Sequence, residues 1–256
     1  LIEHAVVLAA REIVAGSKNP RETFDQLVKL YEKQPRLGSR TSQSMAEQAY
    51  STPVPLAYVA SRLADIAGGK RIYEPTAGNG ALLIEADPKK QAVLANELNT
   101  DRLANLRSQG FPTTNEDALE RKVVAGTDRV IANPPFGAVR VGGGTKIFEI
   151  GDYRTTAIDQ AISLHGLDGM DPNGRAVLSV GGVKGDDQTT RSEGYSSQQK
   201  RKFYKRLYDT YNVTQHITIS GKMYERQGAA WPVDLIVIEG RGKSALSLPA
   251  AKVPPV

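Results

Sequence analysis

Short apolar runs alternate with helical patterns from about residue 55 onward, and this alternation limits the possible folds more than any other feature. It predicts a mostly parallel sheet with helices on both faces. No good helical pattern separates the last two predicted strands, so we expect that pair to be antiparallel. The predicted strands are 71–74, 91–97, 112–115, 128–132, 175–180, 213–219 and 233–238, and the predicted helices are 55–66, 100–109, 155–167 and 197–208, with a further helix starting over 81–86.

Two helical patterns precede this region within residues 1–34, and Asn19–Pro20 separates them. We therefore expect a helical N-terminal extension (1–47), an α/β domain (48–240) and a linker-like, proline-rich tail (241–256). The chain begins with Leu1 inside a helical pattern, which favours a piece of a longer protein over a trimmed one.

The composition argues against several kinds of chemistry. The chain has no cysteine, which excludes disulfides, thiolate metal sites and a cysteine nucleophile. No apolar run approaches the roughly 18 residues of a membrane helix. No metal site is expected, because the histidines are scattered, and no serine has plausible partners for a hydrolase triad. These residues are His4, His165 and His216, and Ser192, Ser196 and Ser197.

A glycine-containing segment, Glu74-Pro-Thr-Ala-Gly-Asn-Gly80, lies between a predicted strand and a predicted helix. Glycines there allow a tight turn and a close approach of the backbone to a ligand. A nicotinamide-binding turn would carry a third glycine where Leu83 stands, which argues against a dehydrogenase. Taken alone, the segment is a weak motif and favours an ordinary turn between a strand and a helix.

Two further motifs follow predicted strands. Glu97 ends the second strand, and a carboxylate at that position can accept both hydroxyls of a ribose, although a helix-start charge is the alternative. Asn133-Pro-Pro-Phe136 directly follows the fourth strand. Two prolines cannot continue a central strand, so the chain must leave the sheet there. Asn133 and Phe136 are thus held at the carboxyl edge, where open α/β sheets bind ligands.

In this order, the motifs resemble those of amino-group methyltransferases that use S-adenosylmethionine (SAM), and most closely the adenine-N6 DNA methyltransferases. The resemblance covers about residues 48–240 and includes Tyr50-Ser-Thr-Pro53 and Gly174–Gly182. It implies a Rossmann-like α/β fold with a mostly parallel seven-stranded sheet and an antiparallel last strand, beside the helical extension. It also implies SAM as the cofactor and DNA as the partner.

More loosely, the chain is similar to methyltransferase regions of very large phage proteins, some fused to helicases and some linked to defence against host restriction. This similarity implies further domains of a longer parent protein as partners. It also implies a location in the cytoplasm of a bacterial host, with packaging in a phage virion as an alternative.

The resemblance implies roles for individual residues of the cofactor site. Thr52 and the backbone of residues 77–80 should hold the methionine end of SAM, with Glu74 near its ammonium group. Glu97 should bind the ribose. The full set of expected cofactor residues is Tyr50, Thr52, Pro53, Glu74, Thr76, Ala77, Gly78, Gly80, Glu97, Asp117 and Asn133.

Two residues after the third predicted strand are candidates for the adenine end of the cofactor. Asp117 should accept a hydrogen bond from the exocyclic amine of the cofactor, and Asn115 ranks below it. The alternative for Asp117 is a cap on a following turn of helix.

The catalytic residues implied by the resemblance are Asn133, Pro134, Pro135 and Phe136. The exocyclic nitrogen of adenine is a poor nucleophile, because its lone pair is conjugated with the ring. The Asn133 side-chain oxygen and the Pro134 carbonyl can accept its hydrogens and stabilise the positive charge that develops during attack. Phe136 would stack on the base, which contributes on the order of 1–3 kcal/mol. The base must be flipped out of a duplex or be single-stranded.

Basic residues outside these motifs are candidates for phosphate contacts. The net charge of +5 permits a nucleic-acid partner without requiring one. A candidate lid (137–153) and a second insertion (184–206) carry all six candidates. A solvated helix face with Phe203 and Leu207 buried is the alternative for the second. The expected nucleic-acid contacts are Arg140, Lys146, Lys200, Arg201, Lys202 and Lys205.

Other substrates and one other class of function stay open. Asn-Pro-Pro-aromatic motifs also occur in methyltransferases that act on guanine N2 or adenine N6 of RNA, or on protein glutamine. A non-catalytic nucleic-acid-binding module with a methyltransferase fold is the third possibility. No separate recognition domain is evident, so sequence specificity is either loose or supplied by other parts of a longer protein.

Overall fold

The computed structural model describes residues 2–35, 51–183, 193–228 and 231–247. Its helices are α1 (Ile2–Gly16), α2 (Pro20–Lys33), α3 (Val54–Leu63), α4 (Thr100–Ser108), α5 (Ile158–Asp168) and α6 (Gln198–Thr210), with 3₁₀ helices at Ile66–Gly68 and Gly221–Gln227. Its strands are β1 (Arg71–Glu74), β2 (Ala92–Asn96), β3 (Thr113–Thr114), β4 (Thr127–Ala132), β5 (Arg140–Val141), β6 (Gly144–Thr145), β7 (Phe148–Ile150), β8 (Tyr153–Thr155), β9 (Met170–Gly181), β10 (Tyr211–Ile219) and β11 (Val233–Arg241).

The central sheet has seven strands in the order β10-β11-β9-β4-β1-β2-β3. Strand β11 is antiparallel to both of its neighbours, and the other pairs are parallel. The prediction of a mostly parallel seven-stranded sheet with an antiparallel last strand is therefore confirmed. The strand order reverses between β1 and β4, and a crevice at the carboxyl ends of such strands is the usual ligand site of this kind of sheet.

The sheet is buried on both faces because its strands carry apolar residues that point alternately to each side. On β4, Ile131 packs into one hydrophobic cluster, whereas Val130 and Ala132 pack into the other. All three side chains are at most 1% exposed. This burial fixes the end of β4, and therefore the start of the segment that begins with Asn133.

Both N-terminal helices pack against α3, and α2 also contacts the 3₁₀ helix Gly221–Gln227. Asn19 caps α2 by accepting hydrogen bonds from two backbone N–H groups, and Pro20 occupies the first turn, so the predicted break lies where the sequence indicates. The Tyr31 hydroxyl donates to the carbonyl of Met223 at 2.7 Å, and Arg226 donates to the carbonyl of Gln34 at 2.9 Å.

The helix predicted over 81–86 is wrong, because these residues form successive turns. Two causes are visible. Leu82, Leu83 and Ile84 are all buried, so the segment has no solvent-facing side. Arg11 of α1 donates to the carbonyls of Leu83 and Ala86 at 2.7 and 2.9 Å, respectively, and so satisfies these backbone acceptors without a helix.

The candidate lid forms two β-hairpins, β5–β6 and β7–β8. Gly142 and Gly143 join β5 to β6 with φ values of +58° and +81°, which favour glycine at both positions. Strand β8 takes up Thr155, so α5 starts at Ile158, later than predicted. Residues 184–192 of the second predicted insertion lie outside the described residues, as does the predicted boundary near residue 47.

The rest of the second predicted insertion includes most of α6, which packs on the sheet. Its Phe203, Tyr204 and Leu207 are at most 1% exposed. The alternative weighed for this segment, a helix whose aromatic and leucine side chains are buried, is therefore the arrangement observed. Within the described ranges, no helix is long and apolar enough to cross a membrane.

Candidate functional site

A cavity of about 540 Å³ lies at the carboxyl ends of β1, β2 and β4. This volume is within the usual range for small-molecule sites. The helical extension contributes to its wall through Val7 of α1. The cavity is lined by the expected cofactor residues Thr52, Glu74, Thr76, Ala77, Gly78, Glu97, Asp117 and Asn133, and also by Pro135, Ala138, Val139 and Arg140.

The glycine turn after β1 forms the floor of the cavity. Gly78 and Gly80 have φ values of +55° and +86°, in the region that favours glycine. A Cβ on Gly78 would meet nothing within 4 Å, whereas one on Gly80 would lie 3.1 Å from Leu106. Gly78 therefore borders open space, and Gly80 permits close packing against α4. Glu3 of α1 accepts a hydrogen bond from Asn79 at 3.2 Å, which ties the extension to this turn.

Glu74 ends β1 and is 1% exposed. Its Oε2 has no hydrogen-bond partner within the part of the chain that the structure describes. Burial raises the pKa of Glu74 well above its usual range, and the charge of Glu97 raises it further. A buried carboxyl group with an unused oxygen suits a cationic ligand group, because such a group would stabilise the ionised form.

Glu97 lines the cavity and also contacts the backbone just before α4. Its Oε2 accepts a hydrogen bond from the backbone N–H of Gly78 at 2.7 Å, so the carboxylate lies against the glycine turn. Its Oε1 accepts one from Asn99 at 2.8 Å, directly before α4. Asn99 in turn caps α4. The carboxylate thus supports the start of the helix while it faces the cavity.

The two candidates for the adenine end of the cofactor differ in position. Asp117 lines the cavity, and its Oδ1 accepts a hydrogen bond from Leu119 at 2.9 Å, which is the capping contact considered as its alternative role. The Asn115 side chain donates to the carbonyls of Glu97 and Leu98 at 2.7 and 2.8 Å, respectively. Asn115 therefore fixes the loop that follows β2.

The side-chain nitrogen of Asn133 makes a hydrogen bond, whereas its side-chain oxygen makes none among the described residues. Its Nδ2 donates to the Thr52 hydroxyl at 2.8 Å. Its Oδ1 is buried and has no hydrogen-bond partner among the described residues. The rest of the motif surrounds it: Pro134 is buried, Pro135 lines the cavity and Phe136 is half-buried against the core. Asn133 lines the cavity, and its hydrogen bond to Thr52 fixes the orientation of the amide group.

The remaining expected cofactor residues differ in position. Pro53 is buried and precedes the first turn of α3. Thr76 lines the cavity with a buried hydroxyl that has no partner in the described ranges. Tyr50 lies outside the described residues.

The six basic residues expected at nucleic acid differ in their surroundings. Arg140 lies on the exposed hairpin β5–β6, with Lys146 just after it. On α6, Arg201 and Lys202 are exposed, whereas Lys205 pairs with Asp209. Lys200 turns inward: its ammonium group donates to the Gly181 carbonyl and lies 5.9 Å from the centre of the Tyr204 ring.

Two buried side chains near the motif were missed by the sequence reasoning. Asp159 on α5 contacts Gly137 and Gly181, and Tyr224 places a buried hydroxyl close to Asn133, with its pKa raised by burial. No pattern in the sequence marks either residue. Asp159 could have been singled out only as an acid in the first turn of a predicted helix.

No protein-family profile and no curated protein sequence matches the chain. Solved structures do match. A protein of Listeria monocytogenes assigned as a class I SAM-dependent methyltransferase is 14% identical, with a TM-score of 0.56, over 94% of this chain and 73% of that protein. A Vibrio vulnificus protein assigned as the modification subunit of a type I restriction enzyme is 16% identical, with a TM-score of 0.57, over 89% of this chain and 51% of that subunit.

A third match is a Pyrococcus horikoshii protein assigned as an RNA methyltransferase. It is 18% identical, with a TM-score of 0.51, over 85% of this chain and 98% of that protein. The chain therefore has the Rossmann-like fold of SAM-dependent methyltransferases and spans about half the length of the Vibrio subunit.

Proposed function

We propose that the chain transfers a methyl group from SAM to the N6 amino group of adenine in DNA. The observation that carries this proposal is the state of the Asn133 side chain. Asn133 lines the cavity, its amide nitrogen is held by Thr52, and its buried oxygen has no hydrogen-bond partner among the described residues. An oriented acceptor at that position is what an amine substrate with two hydrogens requires.

The cavity fits SAM by the chemistry of the groups that line it. SAM carries an ammonium group and a sulfonium centre, and Glu74 offers a buried carboxyl oxygen without a partner in the described ranges. The Thr76 hydroxyl lines the cavity without a partner in the described ranges and is a polar group suited to its carboxylate. Glu97 would accept the ribose hydroxyls, and Asp117 would accept the adenine amine. When bound, SAM supplies the reactive methyl group.

The catalytic contribution of the protein is positioning and charge stabilisation. The Asn133 oxygen and the Pro134 carbonyl accept the two hydrogens of the target amine, which favours a tetrahedral nitrogen with an available lone pair. As the nitrogen attacks, it becomes positively charged, and these two dipoles stabilise that charge. The extra proton leaves after the transfer. Phe136 supports the base by stacking. Because the two acceptors stabilise the developing charge, the scheme uses no metal.

DNA is favoured over RNA by two observations. The motif order, with Tyr50-Ser-Thr-Pro53 ahead of the glycine turn, resembles the adenine-N6 DNA enzymes. The Vibrio match is a subunit of a type I restriction enzyme. That subunit is about twice as long as the matched region, so we propose that further domains supply sequence recognition. RNA is the second candidate substrate, because the Pyrococcus match is assigned as an RNA methyltransferase.

One assay separates these substrates. The protein is incubated with labelled SAM and unmethylated DNA or RNA, the nucleic acid is digested, and modified nucleosides are identified by mass spectrometry. N6-methyladenine from DNA is the expected product. N2-methylguanine or N6-methyladenine from RNA alone would contradict the DNA proposal. SAM binding is measured separately by calorimetry, and failure to bind SAM would favour a non-catalytic module.

A further inference from the structure

A buried carboxylate, Asp159, joins two backbone segments at the carboxyl edge of the sheet. It is the second residue of α5 and is 3% exposed. Its Oδ1 accepts a hydrogen bond from the backbone N–H of Gly137 at 3.4 Å, and its Oδ2 accepts one from Gly181 at 2.9 Å. Gly137 directly follows Phe136, and Gly181 ends β9. One side chain therefore holds the end of the Asn133–Phe136 segment against the neighbouring strand.

The N-terminus of α5 holds both polar groups of the Gly137 backbone. The Gly137 carbonyl accepts a hydrogen bond from Ile158 at 2.9 Å, while its N–H donates to Asp159. Gly137 has a φ of +89°, which favours glycine. The direction in which the chain leaves Phe136 is therefore set by α5.

Gly181 lies between the carboxylate and the aromatic ring of the motif. An added Cβ there would be 3.5 Å from Asp159 Oδ2 and 3.9 Å from Phe136 Cδ1. The Gly181 carbonyl accepts a hydrogen bond from Lys200. The end of β9 is thus fixed through its N–H by Asp159 and through its carbonyl by Lys200, and the Phe136 ring lies beside it.

Lys200 also supplies charge for this arrangement. Burial raises the pKa of Asp159, whereas the hydrogen bond from Gly181 and the positive charge of Lys200 lower it. A buried carboxylate needs such hydrogen bonds and charge partners to remain ionised. The same ammonium group acts on a second buried carboxylate, Asp234, which accepts hydrogen bonds from Tyr195, Tyr204 and Thr218. Lys200 therefore belongs to the interior of this edge of the sheet.

We propose that Asp159 is a positioning residue for methyl transfer: together with Lys200, it fixes Gly137 and Gly181 and so orients Asn133 and Phe136 toward the target amine. The catalytic part of this inference rests on the proposed function. Within the described ranges, the Asp159 carboxylate accepts its hydrogen bonds from Gly137 and Gly181, not from the glycine turn. Its loss should therefore lower kcat and leave SAM affinity intact.

The test compares Asp159→Asn with Asp168→Asn, an exposed acid at the other end of α5. Hydrogen exchange measured by mass spectrometry should be faster for peptides covering 133–139 and 179–183 in Asp159→Asn only. In the methyl-transfer assay, Asp159→Asn should lower kcat by about 10- to 100-fold. Its SAM dissociation constant, measured by calorimetry, should match that of Asp168→Asn.

Lys200→Met tests whether Lys200 acts through the same contacts. In a double-mutant cycle with Asp159→Asn, the losses in kcat should be less than additive. Additive losses would remove Lys200 from the proposal.

Two results would overturn the role of Asp159. One is unchanged hydrogen exchange in both peptides. The other is a lower kcat that is accompanied by weaker SAM binding and a lower melting temperature, because this combination indicates a general loss of structure. If the unmodified protein methylates no DNA, the proposed function fails. The exchange measurement would still decide whether Asp159 holds the two segments.

Discussion

The Thr52 hydroxyl accepts a hydrogen bond from the Asn133 side-chain amide at 2.8 Å. Thr52 lies just ahead of α3, and Asn133 follows β4, so this hydrogen bond joins two distant parts of the chain at the edge of the cavity. With its nitrogen engaged, the Asn133 amide has its orientation fixed, and the unused oxygen is presented in a defined direction. The acceptor role proposed for Asn133 would therefore depend on Thr52.

Replacing Thr52 tests this dependence. Thr52→Val keeps the shape but leaves the Asn133 nitrogen without its acceptor, and an unsatisfied buried donor costs about 1–3 kcal/mol. The amide can then rotate, so we expect kcat to fall by about tenfold. Thr52→Ser keeps the hydroxyl and should retain most of the activity. Equal kcat values for the Val and Ser variants would show that the hydrogen bond does not orient Asn133.

Asn133→Ala removes the acceptor itself. We expect turnover to be lost while the SAM dissociation constant changes by less than about threefold, because an interaction made mainly in the transition state lowers kcat alone. Single-turnover methyl transfer and calorimetry measure the two effects. Asn212→Ala, on β10 and outside the lining of the cavity, is the control. Loss of SAM binding in Asn133→Ala would contradict the assigned role.

Glu97→Ala should weaken SAM binding. The variant could not accept the ribose hydroxyls, and a hydrogen bond to a charged group is worth about 1.5–3 kcal/mol, which corresponds to a change of about 10- to 100-fold. Calorimetry with SAM measures it, with the exposed Glu120→Gln as the control. Unchanged affinity would remove Glu97 from the cofactor site.

We expect Glu74 to destabilise the ligand-free fold near neutral pH and to strengthen SAM binding. Its folded pKa lies above the ordinary value of 4.5, so the carboxyl stabilises the fold fully below that value, and this contribution is lost as the pH rises through the folded pKa. Glu74→Gln removes this pH dependence. We expect the ligand-free variant to melt at a higher temperature than the unmodified protein at about pH 8, with the difference shrinking toward about pH 4.

The same variant should bind SAM more weakly, because the amide cannot pair with an ammonium group. Thermal unfolding over a series of pH values and calorimetry give the two measurements. A difference in melting temperature that does not change with pH would show that the Glu74 carboxyl is not destabilised by burial.

If the exposed basic residues contact DNA phosphates, the affinity for DNA should depend on the salt concentration. Neutralising Arg140, Lys146, Arg201 and Lys202 together should weaken DNA binding and reduce the slope of log K against log salt by about 0.9 for each phosphate that the variant no longer neutralises. Lys29→Gln, at an exposed lysine of α2 outside the expected nucleic-acid contacts, is the control. The slope comes from fluorescence anisotropy at several salt concentrations. An unaltered slope would assign these four residues to the solvated surface.

The strands and the order of the motifs were accessible from the sequence for a physical reason. Buried parallel strands are short apolar runs, and β1 has the predicted bounds, Arg71–Glu74. The glycine turn and the two prolines after β4 constrain the backbone locally, so their neighbours alone indicate where the chain turns. The antiparallel β11 followed from the weak helical pattern between the last two strands.

Long-range interactions set the features that the sequence did not indicate. The turns over 81–86 depend on Arg11, more than seventy residues earlier in the chain. Lys200 and Arg201 are adjacent in the sequence, yet one points inward to Gly181 and the other is exposed. A local pattern of charges cannot separate them, because the difference arises from where β9 ends relative to α6.

The hydrogen bond between Tyr31 and Met223 spans 192 residues of the chain. During synthesis, α1 and α2 leave the ribosome early, but a binding surface for α2 at the 3₁₀ helix Gly221–Gln227 exists only after β10 has been made. Leu27 and Tyr31 can already pack with Val54, Tyr58 and Ile84, but the Tyr31 hydroxyl has no Met223 carbonyl to donate to before that point. Closing a loop of this length costs entropy before the contact forms, so we expect the contact to form slowly. The docking of α2 on the 3₁₀ helix should therefore be among the last steps of folding during synthesis.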